Sequence, residues 1–218
     1  MALSASRLET LIERHHAVIR QLATLYAEMD RGYTATAAPY AFVCRGCEDN
    51  CCLTRFHHHT LVEAAGLYKG FRALSEEQRC NVVGRAQAYC EALRADAPHT
   101  PAFRHLCPLN QDGRCLLYAQ RPMICRLHGI RHTLRHPRQG LTTGAGCHVF
   151  EASCRGSEGP RLDRTPLYAA MAGLEKALRQ ASGWEQPLRL TVAEMIVGFA
   201  APVYPTGLES GGGGKHRT

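Results

Sequence analysis

Residues 107–126 read CPLNQDGRCLLYAQRPMICR. Three cysteines, Cys107, Cys115 and Cys125, have seven and nine residues between them, and neither a helical nor a strand-like apolar period connects them. The same want of periodicity runs from His99 to Cys154, where Gly113, Pro122, Gly129, Pro137, Gly140, Gly144 and Gly146 break the chain into turns. A compact domain does not leave so long a segment without order unless something other than secondary structure supplies it. Thiolate coordination of a metal would supply it, because binding energy at such a site is also folding energy. The segment is therefore expected to be a cysteine-rich loop region organised by a metal site.

On either side of this region the apolar pattern is helical. Ser6-x-x-Glu9 has the form of a capping box, and Leu8, Leu11, Ile12, His15, Val18, Ile19, Leu22, Leu25, Tyr26 and Met29 then recur at helical spacing. One continuous helix over 5–31 is expected, with its stripe packed on the chain's own core. A pairing surface for a second copy, giving a homodimer through this helix, is the second reading. Residues 34–40 are small and turn-prone. Thr60 to Leu74 reads as a short helix, and Ser75 with Gln78 caps another that puts Val83, Ala86, Cys90 and Leu93 on one face. Thr165-Pro166 opens a helix with Leu167, Ala170, Met171, Leu174 and Leu178 as its stripe, and Thr191-x-x-Glu194 caps a last one through Phe199. The expected fold is mainly α: a single domain over 1–208, with a metal-binding core of about 40–155, flanking helices 5–31 and 165–200, and a flexible glycine-rich tail over 209–218.

The chain's 218 residues, 45% of them hydrophobic, suffice for a core that needs no cross-links. No apolar segment with a cleavage site stands between Met1 and Arg31, and no stretch approaches the ~18 apolar residues of a membrane span. The expected setting is the reducing cytoplasm, with no membrane partner. Eleven cysteines in that setting point to metal, since thiolate is a soft ligand and structural disulfides are rare there. The net charge of +7 comes almost wholly from arginine, scattered from Arg7 to Arg217 without a dense run. Nucleic-acid binding is therefore not expected.

The first cysteine group reads Cys44-x-x-Cys47-x-x-x-Cys51-Cys52. A tight turn between two cysteines aims both sulfurs at one point, as tetrahedral zinc and cuboidal clusters require. Adjacent Cys51 and Cys52 do not easily serve one small site from a regular backbone. One of them is expected to face a different metal or to pack as a small apolar residue. Together with Cys107-Pro108, Gly113-x-Cys115, Tyr118, Arg121-Pro122-x-x-Cys125-Arg126 and the later Cys147, the pattern resembles the YkgJ-type cysteine-cluster proteins, described as zinc- or iron-chelating domains. Three residues separate Cys47 from Cys51 where that family usually has two. The resemblance covers roughly 44–147 and implies metal binding through Cys44, Cys47, Cys51, Cys52, Cys107, Cys115, Cys125 and Cys147. Some relatives resemble iron–sulfur proteins, and the module also occurs in enzymes that methylate flagellin lysines.

Several residues carry a second reading. Cys80 and Cys90 lie in a helical pattern and are assigned to the core; Cys154 is left open. His57-His58-His59 resembles a chelating tract but reads first as a solvated helix start. His128, His132 and His136 have helical i, i+4 spacing, against which Gly129 and Pro137 argue; His148, next to Cys147, is the histidine to test first. Arg121 and Arg126 are expected to donate to sulfur and offset the negative charge of a thiolate-bound cofactor. No catalytic residue is identifiable. The expected function is metal binding, with an iron–sulfur cluster of the four-iron type (4Fe–4S) in an electron-transfer, redox or structural role. The alternatives are a structural zinc (Zn2+) module that contacts a protein partner, and a metal-dependent oxidoreductase or protein side-chain transferase.

Overall fold

The apolar stripe that opens the chain is carried by two helices rather than one. The computed structural model describes residues 3–44, 51–96, 103–156 and 158–200. Within them α1 (Ala5–Arg14) and α2 (His16–Ala37) are separated at His15, whose φ of −120° and ψ of 34° leave the helical region. Leu8, Leu11 and Ile12 before the break and Ile19, Leu22, Leu25, Tyr26 and Met29 after it are all buried. The bend therefore does not interrupt the spacing. The Ser6 box does not form, because α1 already starts at Ala5 behind Ser4, which makes no side-chain cap bond. α2 continues through residues 34–37, which composition alone reads as turn, and ends in a 3-10 turn over Ala38–Tyr40.

Capping marks the other helices well. α3 (Leu61–Arg72) is buried on nearly every side. α4 (Glu76–Ala95) begins with the Ser75–Gln78 box, in which each side chain bonds the other residue's backbone N–H. Its buried positions are Val82, Ala86 and Tyr89; half-buried Cys90 packs against the core as assigned, whereas Cys80 is exposed, against its assignment there. α7 (Thr165–Ser182) has Pro166 in its first turn and buries Leu167, Met171 and Leu178. Thr191 and Glu194 form the box that opens α8 (Val192–Ala200). α1 packs on α3 and α8, while α2 packs on α3 and α7. The opening stripe is thus buried within the chain's own core.

The segment from His99 to Cys154, expected as loop, contains regular structure in its described part from 103 onward. β1 (Asn110–Gln111) and β2 (Arg114–Cys115) form a hairpin around Asp112 and Gly113, whose φ values of 51° and 81° are those of a type I′ turn. α5 (Met123–Arg126) is one helical turn, and α6 (His148–Cys154) is also short. β3 (His132–His136) pairs antiparallel with β4 (Gly140–Gly144) and parallel with β5 (Leu162–Asp163). Backbone pairing thus orders part of the chain that metal alone was expected to order. Among the described residues no helix is long and apolar enough to cross a membrane. Cys47 and the tail over 209–218 lie outside the described residues.

Candidate metal centre

Cys51 and Cys52 sit in a turn over 51–53. The backbone N–H of Cys107 donates to the Cys52 carbonyl at 2.7 Å, which joins the two cysteine groups. Past Cys107 the chain turns, with Asn110 N–H donating to the Cys107 carbonyl at 2.9 Å, and enters the β1–β2 hairpin. The hairpin returns Cys115 opposite Asn110. Gly113 N–H donates to the Asn110 side-chain Oδ1 at 3.2 Å, and the same side chain hydrogen-bonds the Cys52 sulfur.

Cys125 is brought in by α5. Met123, the first residue of that turn, donates its N–H to Glu63 Oε1 at 2.6 Å, and Thr60 Oγ1 donates to Glu63 Oε2 at 2.6 Å. A buried carboxylate on α3 therefore anchors the turn that holds Cys125. On the other side, Arg126 is buried at 2% exposure and reaches Asp30 of α2 through Nη1 and the Ala119 carbonyl through Nη2. Its guanidinium lies 4.1 Å from the centre of the Tyr26 ring. Arg121 also bonds Asp30, at 3.3 Å, and stacks 3.7 Å from the Tyr118 ring centre. The Nε atoms of Arg121 and Arg126 are buried and have no hydrogen-bond partner among the described residues. Both arginines meet Asp30 rather than a sulfur, but each keeps one N–H donor in reserve.

Cys52, Cys107, Cys115 and Cys125 act electrostatically on one another in every pairing. Burial pushes the Cys107 thiol up to about 12 and the Cys115 thiol up to about 11, and raises Cys125 well above its usual range. Against burial, the backbone N–H of Leu109 bonds the Cys107 sulfur and that of Leu117 bonds the Cys115 sulfur. Such bonds favour thiolate, the form a metal takes. The Cys51–Cys52 hydrogen bond raises the Cys51 thiol and lowers that of Cys52. Cys51, Cys52, Cys107 and Cys125 line a cavity of about 30 Å3, together with Tyr89 and His58. Among the described residues no group of three or more His, Cys, Asp or Glu side chains stands ready to hold a metal ion. Coordination would require these thiols to lose their protons and turn inward. The donor set itself is soft, sulfur-rich and supported by N–H groups, as zinc and iron–sulfur centres require.

The remaining candidates fall elsewhere. Cys44, Cys51, Cys125 and Cys147 line a larger cavity, of about 720 Å3, with Tyr33, Arg121 and Arg126. Cys147 precedes α6, and its N–H donates to the Gly129 carbonyl at 3.0 Å. Cys154 is buried in the core at 2% exposure. The histidine tract is not a solvated helix start, because His58 pairs with Leu190 in an isolated antiparallel bridge and is only 4% exposed. Burial lowers the His58 pKa to about 4, so its imidazole is neutral. His132 and His136 lie on β3 rather than on a helix, as Gly129 with φ 95° and Pro137 lead one to expect. His148 is exposed and lines neither thiol-bearing cavity. Asn110, Glu63 and Asp30 are the supporting residues that motif spacing does not reveal. No disulfide joins the described cysteines. No family model, curated protein or solved structure matches the chain.

Proposed function

We propose that the chain is a metal-binding cysteine-cluster protein of the reducing cytoplasm, with Cys52, Cys107, Cys115 and Cys125 as its principal ligands. The observation that carries this reading is that Cys52, Cys107 and Cys125, from three separate turns of chain, line one cavity, with Cys115 carried beside them by the β1–β2 hairpin. Four cysteines drawn from three turns of chain exceed what packing requires, and as thiolates, the form a metal takes, they would need a cation to offset their charge. Leu109 and Leu117 N–H groups and the Asn110 side chain already address sulfur. The unused Nε–H donors of Arg121 and Arg126 match the net negative charge that four thiolates bring.

An iron–sulfur cluster of the 4Fe–4S type is the first identity for the bound group. It would supply one-electron redox chemistry or a structural tie, while the chain would bury and orient it. A second identity is a structural zinc ion in a module that contacts a protein partner, which soft thiolate ligands would suit equally. Purification without oxygen, followed by metal and sulfide analysis and an absorption spectrum, separates them. The first identity predicts iron, acid-labile sulfide and a band near ~400 nm. The second predicts a colourless protein with stoichiometric zinc. A protein that retains neither metal contradicts the proposal.

A further inference from the structure

We propose that the cavity of about 720 Å3 is a binding site for a small organic monoanion, a carboxylate with an apolar body, received by Arg121 and Tyr33 on its wall. The inference goes beyond the metal reading and does not rest on it, since neither Arg121 nor Tyr33 lines the smaller, thiol-rich cavity.

The wall of this cavity is short of negative charge. Arg121 and Arg126 both line it, and both bond the one Asp30 carboxylate. Among the described residues Asp30 is the one acidic side chain on the wall, so two guanidiniums leave a single positive charge unmatched there. Such a charge is costly where the arginine side chains are only 17% and 2% exposed. Each arginine also keeps a buried Nε that has no hydrogen-bond partner among the described residues. Tyr33 Oη stands on the same wall, near enough to Arg121 to feel its charge, and donates no hydrogen bond among the described residues. Gly129 keeps the space beside that hydroxyl open, since a side chain there would begin 3.8 Å from it.

Size and charge together define the ligand. Small-molecule sites commonly measure about 300–1,000 Å3, and this cavity falls among them, far beyond what one inorganic ion fills. One unmatched positive charge suits a monoanion, whereas a diphosphate or triphosphate brings more negative charge than the wall offsets. Elsewhere the wall is apolar, with Ala37, Phe42, Val43 and the Tyr118 ring, on which Arg121 stacks 3.7 Å from the ring centre. Val43 and Tyr118 are 67% and 58% exposed, so the ligand reaches the site from solvent. Cys125 lines both cavities, which places the bound anion beside the thiol group.

Calorimetric titration of the anaerobically purified full chain with naphthoate, and with naphthamide as its neutral counterpart, tests this. The wild type should bind one naphthoate, and naphthamide about tenfold more weakly. Arg121→Gln should weaken naphthoate about tenfold, and Tyr33→Phe about two- to tenfold. Ala38→Trp, at an exposed position on the wall, should fill the cavity and abolish binding without touching either donor. Tyr33→Phe and Ala38→Trp remove no ion pair, so they carry the test even if Arg121→Gln fails to fold, and unchanged far-ultraviolet circular dichroism guards each reading. No binding of naphthoate by the wild type overturns the inference. So does naphthamide binding as tightly as naphthoate, or naphthoate binding that Ala38→Trp and Tyr33→Phe leave unchanged.

Discussion

Cys107 and Cys52 are joined through their backbones, the N–H of the first donating to the carbonyl of the second across 2.7 Å. This bond does not involve sulfur, so the early and late cysteine groups meet without coordination. A metal bound there would tighten an approach that the chain already makes. The long helices α1–α4, α7 and α8 supply most of the core, onto which Leu109, Leu117, Leu127 and Phe150 of the site's own segment also pack. Removing metal from the anaerobic protein should therefore leave the helices folded while residues 103–156 loosen. Limited proteolysis of the chelator-treated chain should cut first within that segment. Equal cutting inside α3, α4 or α7 would contradict this.

The Asp30–Arg126 pair should matter more to the site than to the fold. Arg126 is 2% exposed and depends on Asp30, whose side chain is 44% exposed. Asp30→Ala leaves a buried guanidinium short of its partner, at a cost of about 2 kcal/mol, below that of a wholly buried pair because water reaches the Asp30 side. Urea unfolding checks that figure. Arg126→Lys keeps the charge but loses the fork to Asp30 and Ala119, and should weaken metal retention about 10- to 100-fold. Unchanged retention would remove Arg126 from the site's support.

Glu63 supplies a pH dependence with a definite sign. Burial raises its carboxyl above the ordinary value of 4.5, although the Met123 N–H and Thr60 bonds favour the charged form. A carboxyl raised in the folded state contributes stability that is fully present below its unfolded value and is lost as pH rises through its folded value. The urea midpoint of the metal-free chain should thus decline as pH is raised above about 4.5 by a component that Glu63→Gln lacks. Glutamine keeps a carbonyl for Met123. Parallel curves for the two proteins would show that Glu63 does not carry the effect.

The hairpin between Cys107 and Cys115 depends on Gly113, whose φ of 81° is left-handed and whose surroundings within 4 Å are empty. Gly113→Ala should cost about 1 kcal/mol through backbone strain alone, read as a shift of the denaturation midpoint. Because nothing crowds the new methyl, a much larger loss would mean that the turn has been misplaced.

Helix ends were legible where side chains cap them. Ser75 with Gln78, Thr191 with Glu194, and Pro166 in a first turn mark α4, α8 and α7 in the positions expected. The break at His15 was not legible, since the stripe runs through it in phase. Asp112-Gly113 between Gln111 and Arg114 is a hairpin signal, but with so short a flanking pattern it reads as loop. The strands at His132–His136 and Gly140–Gly144 carry no buried alternation to announce them, being half-buried or exposed. The cysteines were visible as candidate ligands, but which of them line a common cavity was not, because that depends on how turns distant in sequence pack together. Asp30 was invisible for a related reason. It gains its role from Arg121 and Arg126, which lie 91 and 96 residues further along the chain.

X-ray absorption at the edge of the metal that co-purifies anaerobically addresses the buried thiols most directly. The account predicts a first shell of sulfur at about 2.3 Å that is diminished in Cys107→Ser and Cys125→Ser and unaltered in Cys80→Ser. A first shell of nitrogen and oxygen, or a sulfur shell indifferent to Cys107 and Cys125, would contradict it.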